Sequence, residues 1–213
     1  DWIYETLTEE QRQFIAERAK RNGLGPIRAN FYGSATYSTT FWANTETNWA
    51  VWVCGNSAML AMAIAEYDMD YCMEFLRNAY CCMEKMWYAF APDGAWYEGP
   101  SYWGGVCINV AMLASTYETV MKKPYFGLDY KGLDKYAQYQ VYFSDPSGFS
   151  NNFHDSYYQQ YHSPGQFYLA DEFGQMGLMK YRVECMDRYN WAPDVRDLLW
   201  YDCTAESSQE SIE

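Results

Sequence analysis

Apolar residues at helical spacing recur along the chain up to about residue 201, and no apolar–polar alternation runs long enough to make a convincing strand. This pattern argues against sheet-based architectures and leaves helices packed on helices. Thr8-Glu9-Glu10-Gln11 is a capping-box sequence, and Leu7, Phe14, Ile15 and Ala19 follow it at helical spacing. The spacing predicts a helix over about 8–22, with Asn22-Gly23 as its stop. Gly25-Pro26 breaks the chain, and a further helix can run from Phe31 toward Tyr37. Thr47-Asn48 opens the next helix, which reaches about Tyr67. Its small residues Ala50, Gly55, Ser57, Ala58, Ala61 and Ala63 permit close helix contact. Asp68 or Asp70 caps a helix over 71–88. Others follow over 105–121, 128–143, 164–182 and 194–201, with Lys122-Lys123-Pro124 closing the first of these.

Three long loops separate the helices, at 38–47, 89–103 and 143–163. Long irregular segments in a compact domain usually carry function. The central one holds Pro92-Asp93-Gly94-Ala95-Trp96-Tyr97-Glu98-Gly99-Pro100-Ser101-Tyr102-Trp103, too rich in Gly and Pro to be read as helix, with four aromatics and two carboxylates in twelve residues. Aromatics make up 20% of the chain, with 22 Tyr and 9 Trp. Flat rings with polar edges suit the faces of sugar rings as well as a helical core.

Charge narrows the partners. There are 15 Lys plus Arg against 28 acids, a net charge of −13, and a nucleic-acid binder needs a basic face that this balance does not supply. No apolar run is long enough to span a membrane. Seven Cys show no CxxC pair and no Cys/His group with metal spacing, so buried free thiols in a reducing compartment are expected, with no metal and no cofactor. A length of 213 residues suits one large domain or two small ones. The domain is placed at 1–203, and TAESSQESIE at 204–213 has the composition of a linker or tail.

The only two His, His154 and His162, fall in the 143–163 loop. An imidazole there can act as base, acid or charge stabiliser, or simply hold the loop by a hydrogen bond. Asp155, Asp93, Glu98 and Glu46 are the loop carboxylates. Asp93-Gly94 reads first as a turn. Tyr102 is a phenol able to take and return a proton in a cleft. No G-x-S-x-G, P-loop or dinucleotide fingerprint occurs.

The segment DGAWYEGPSYW, followed by a helix, resembles a motif of heparinase II/III-like polysaccharide lyases and the related alginate lyases. TNWAVWVCGNSAMLAMAIAE resembles the Asn-Trp helix of the same group. DWIYETLTEEQR, FHDSYYQQYHSPGQFYLADEF and DLLWYD match it in order, so the likeness covers almost the whole chain. It implies an all-α fold, an incomplete α/α toroid of helical hairpins with long aromatic loops. It also implies a longer parent chain with a β-sandwich domain following. The implied reaction is β-elimination on an acidic, uronate-containing polysaccharide. A base takes the C5 proton, the 4-linked oxygen leaves, and the C5 carboxylate must be neutralised.

Carried over by motif, Tyr102 is the acid/base and Asn48 the neutraliser, with His154 beside the carboxylate. Trp42, Trp49, Trp96, Glu98, Trp103, Asp155 and His162 are the substrate-contacting candidates. Lyases of the group often carry Asn-His where this chain has Asn48-Trp49. Two other readings stand beside the lyase: a glycoside hydrolase using paired carboxylates such as Asp93 and Glu98, and a saccharide-binding domain without catalysis.

Overall fold

A computed structural model describes residues 3–32, 42, 43, 45–210 and 212. The chain is all-α. Among the described residues there is no strand, only isolated bridges joining Ser150 to Ser144 and to Gln159. The expected loop at 38–47 lies partly outside the described residues, as does the helical continuation toward Tyr37.

Two compact units divide the chain. The first comprises Asp1–Met86 and Thr116–Lys123, the second Trp87–Ser115 and Pro124–Glu213. In the first, α1 (Glu9–Arg18) starts at a complete capping box: Thr8 accepts from the Gln11 N–H, and the Gln11 side chain accepts from the Thr8 N–H. Asn22-Gly23 does not stop it. The backbone widens into a π-helical segment, Ala19–Leu24, and runs on into α2 (Gly25–Phe31). Pro26 sits in the first turn of α2, where its missing N–H costs little. The widened turn is what lets the helix pass through both expected breaks.

The next helical run shows the same feature. A π-helical segment, Ala50–Gly55, leads into α3 (Asn56–Ala63). Ala50, Gly55, Ser57, Ala58 and Ala61 are buried. Asp68 caps α4 (Met69–Trp87) by accepting from the Tyr71 N–H at 3.2 Å. Buried in this unit are Phe75, Leu76 and Met83 of α4, with Leu24 and Ala16. Phe31 meets Phe75 and Trp42 edge-on at 5.2 and 6.0 Å. Arg28 and Glu74 form a half-exposed pair at 2.7 Å.

In the second unit, α5 (Pro100–Met121) begins five residues before the expected Gly105. Gly99, at φ +88°, reverses the chain, and Pro100 then occupies the first helical position. Ser101, Tyr102 and Trp103 therefore belong to a helix and not to the loop.

The expected 128–143 helix is broken into α6 (Leu133–Tyr136) and α7 (Tyr139–Tyr142). Gly132 precedes α6 at φ +97°, where a side chain would collide with the Phe90 carbonyl. The expected 164–182 helix is likewise divided, into α8 (Gly165–Glu172) and α9 (Met176–Tyr189). Asp145-Pro146-Ser147-Gly148 is the turn expected of it, closed by the Gly148 N–H on the Asp145 carbonyl at 2.9 Å. The last helix is only α10 (Asp197–Trp200). Residues of the 204–213 segment are held as well: Ala205 is buried, and Glu210 accepts from the Gly177 N–H at 2.9 Å.

All seven cysteines are free thiols, and Cys54, Cys72, Cys107 and Cys185 are buried. Among the described residues no helix is long and apolar enough to cross a membrane.

Candidate functional site

The stretch from Asp93 to Tyr97 passes from one turn to another, with Gly94 at φ +78° and its N–H on the Phe90 carbonyl at 2.8 Å, and its side chains alternate between exposed and buried. Asp93, Ala95 and Tyr97 are exposed, while Gly94 and Trp96 are buried. Asp93 accepts from the Ala95 N–H at 3.3 Å, the turn role its Gly neighbour suggests. Trp96 goes inward, fully buried, with its ring centroid 5.5 Å from that of Phe90. Trp103, on the first turn of α5, is also fully buried. Its indole N–H donates to the Tyr136 carbonyl at 2.9 Å, and the Tyr136 hydroxyl donates back to the Trp103 carbonyl at 2.9 Å. Both indoles were expected to meet a ligand; the structure assigns them to the core of the second unit. Burying two such rings is worth more than exposing them to water, so a helical scaffold with few aliphatic side chains draws them in.

The opposite side of the same loop is polar. The Trp96 indole N–H donates to Glu98 Oε2 at 3.1 Å. Gly99 passes so close to the second loop that a Cβ there would lie 2.5 Å from Ser156 Oγ and 2.8 Å from the Phe153 carbonyl. The Ser101 N–H donates to Ser156 Oγ at 3.0 Å. This tie fixes Glu98 and the start of α5 against residues 153–156. It also brings His154 and Asp155 into electrostatic range of Glu98. Burial pushes the Glu98 carboxyl above its ordinary value and Asp155 adds to this, while the Trp96 hydrogen bond and His154 oppose it. His154 holds a left-handed backbone at φ +50°, and its Nδ1 lies 3.9 Å from Asp155 Oδ1. Their side chains are 51% and 65% exposed, so the pair shapes the loop surface more than it stabilises the fold.

Tyr102, half-buried, stands one residue beyond the Ser101–Ser156 tie. Tyr97, Phe153 and Tyr157 carry exposed rings on the same two loops. On the Asp93 side a cavity of about 340 Å³ is lined by Asp93, Ala95, Lys135, Tyr139 and Tyr142. Glu98, His154 and Asp155 are thus brought together, with Tyr102 on an adjoining turn. The cluster offers an imidazole and two carboxylates, groups able to transfer protons and to hydrogen-bond hydroxyls. Among the described residues no three His, Cys, Asp or Glu side chains converge to hold a metal ion.

His162 is elsewhere in the second unit. Its ring stacks on Trp191 at 4.7 Å and 17° and lines a pocket of about 440 Å³ with Ser163, Asp194 and Arg196. Burial, and then the Arg182 cation, hold its imidazole below the ordinary value. The remaining candidates lie in the first unit. Trp42 is buried against Phe31, part of that core and closed to a ligand. Trp49 is exposed, edge-on to Trp52 at 5.8 Å. Asn48 is buried, and its side-chain N–H₂ has no hydrogen-bond partner among the described residues.

Ser156, Asp194 and Arg196 escape a sequence reading. Ser156 is one of many Ser. Asp194-Val195-Arg196 has no motif spacing, and only the aromatic Trp191 upstream marks the segment as more than a turn. No family model matches the chain, and no curated protein sequence is significantly similar to it.

Proposed function

We propose that this chain is a helical domain of the polysaccharide-lyase type, an incomplete α/α toroid, and that it acts on an acidic, uronate-containing saccharide by β-elimination. The observation that carries this reading is the tie between Gly99-Pro100-Ser101 and Ser156. It holds Glu98, His154 and Asp155 on two loops that also bear the exposed rings of Tyr97, Phe153 and Tyr157, with Tyr102 next to Ser101 in the first turn of α5. Exposed rings on a polar rim suit the C–H faces and hydroxyls of sugars.

In this reading Tyr102 takes the proton from C5 of the uronate. The electron pair moves into the C4–C5 bond, the C4–O bond breaks, and Tyr102 returns the proton to the departing oxygen. His154, half-exposed on its loop, offers an N–H donor to the carboxylate as charge develops on it. Glu98, whose carboxyl burial pushes above its ordinary value, orders the loop and hydrogen-bonds a sugar hydroxyl.

The same carboxyl favours one competing reading. A Glu raised by burial beside a second carboxylate is the arrangement of a glycoside hydrolase acid, with Asp155 as the partner. The two readings separate on the product. Elimination leaves an unsaturated uronyl end that absorbs in the ultraviolet, whereas hydrolysis leaves new reducing ends without it. Incubation with uronate polymers is expected to give the unsaturated product. Tyr102→Phe is expected to lower its rate by at least ~100-fold, the usual worth of a positioned acid/base. New reducing ends without ultraviolet absorbance, abolished by Glu98→Gln, would replace the lyase by the hydrolase.

A further inference from the structure

The pocket at His162 is separate from the Glu98–His154–Asp155 cluster in its lining residues, and its chemistry is specific. Arg196 has five N–H donors in a planar fork. Asp194 accepts two of them side-on: Nε at 2.8 Å on Oδ1 and Nη2 at 2.7 Å on Oδ2. Nη1 points one donor at the Met112 sulfur at 3.8 Å, a weak contact. One hydrogen on Nη1 and one on Nη2 remain without a partner among the described residues. These two donors, on neighbouring nitrogens of a planar group, suit the two oxygens of a carboxylate.

The guanidinium is not loose. Asp194 Oδ1 also accepts from the Arg196 backbone N–H at 2.8 Å. The Asp194 N–H donates to Asp197 Oδ2 at 2.7 Å. Asp197 in turn is buried against Arg182 at 2.7 Å, and Arg182 donates to Gln166 at 3.1 Å. The wall of the pocket is therefore anchored to a buried polar network, which is the supporting shell a binding group needs. Asp194 and Arg196 cancel each other's charge, so attraction for an anion comes from the fork's geometry and not from a positive field.

The rest of the pocket fits a compact ring. His162 presents a half-buried imidazole stacked on Trp191, its Nδ1 buried and without a hydrogen-bond partner among the described residues. Gly104, Ile108, Pro164, Ala192 and Pro193 give an apolar lining, and Ser163 adds a hydroxyl that donates to the Gly104 carbonyl at 3.1 Å. A volume of about 440 Å³ lies toward the small end of ligand sites.

We infer that the pocket of His162, Asp194 and Arg196 is a second ligand site that takes a carboxylate-bearing sugar, a single uronic acid unit. The carboxylate engages the free edge of Arg196 and the sugar ring lies against His162. The carboxylate preference stands on Arg196 alone, whereas the choice of a sugar acid rests on the function proposed above.

The chain's two histidines make the test direct. In the His154→Gln variant the one remaining imidazole signal in a proton NMR spectrum is His162. Glucuronate is expected to move that signal with a Kd near ~1 mM, and glucose is expected to leave it in place. Arg196→Lys keeps the charge and loses the fork, and is expected to weaken glucuronate by about tenfold. Ala192 is exposed, so Ala192→Trp is expected to fill the mouth and abolish the shift without loss of helical circular dichroism.

Acetate acting as strongly as glucuronate would keep the fork and overturn the sugar. Equal effects of glucose and glucuronate, an undiminished response in Arg196→Lys, or a still signal at ~10 mM glucuronate would overturn the site. Tyr102→Phe is expected to leave this binding intact, so failure of elimination and failure of the second site are read separately.

Discussion

The two sides of the segment from Asp93 to Trp103 have opposite fates. On one side Trp96 and Trp103 vanish into a cluster with Phe90 and Tyr136. On the other, Tyr97 stays exposed, and Glu98 meets a second loop that carries His154 and Asp155. The same dozen residues are thus both core and candidate site. The lesson is that a ring-rich loop does not declare which rings are offered to a ligand. Backbone direction decides it. Left-handed turns at Gly94 and Gly99 set which side chains go inward, and Pro100 after the second starts the helix early enough to turn Trp103 into the core.

The inward side is where substitution is expected to cost most. Trp103→Ala removes a fully buried indole and leaves the Tyr136 carbonyl without its donor, so a loss of about 3–5 kcal/mol is expected in chemical denaturation. Tyr97→Ala on the outward side is expected to cost well under ~1 kcal/mol. Similar losses at both positions would break the division between core and site.

Next in size is a pH effect that separates the two histidines. Burial and Arg182 hold His162 below its ordinary value of 6.5 in the folded chain. The unfolded chain then binds a proton that the folded one resists, so folding stability is expected to fall as pH drops through and below 6.5. Above that pH both states are neutral and the contribution is flat. His162→Gln is expected to flatten this part of the stability–pH curve. A slope that survives the substitution would assign it to other groups. The smallest effect is expected at His154: its side chain is half-exposed and its partner Asp155 more so, and His154→Gln should shift the unfolding midpoint by no more than ~0.5 kcal/mol.

Fold class was legible because the helical period is strong and strand alternation is missing. The Thr8–Gln11 capping box, the Asp68 cap and the turn at Asp145–Gly148 were legible for the same reason: each is a local hydrogen-bond device written within four residues. The breaks were not. Asn22-Gly23 and Gly25-Pro26 read as stops, yet a π-helical turn carries the helix across them. Gly132 falls inside the helix expected over 128–143 and instead precedes the short α6, where only a glycine fits beside the Phe90 carbonyl.

Of the candidate site, Glu98, His154 and Asp155 could be named from residue type and loop position. Their meeting depends on Ser156 and Gly99, whose roles are tertiary and leave no trace in spacing. Arg196 was invisible for the same reason, since its fork is defined by which donors Asp194 and Met112 have already taken.

The central claim is that the outward side of this loop performs elimination on a uronate. The most direct measurement is the ultraviolet absorbance of unsaturated product formed from a panel of uronate polymers by the chain and by Tyr102→Phe. The account predicts absorbance growing with time for the unaltered chain and at least ~100-fold slower growth for Tyr102→Phe, with both proteins equally folded by circular dichroism. Product formed at the same rate by both would contradict it.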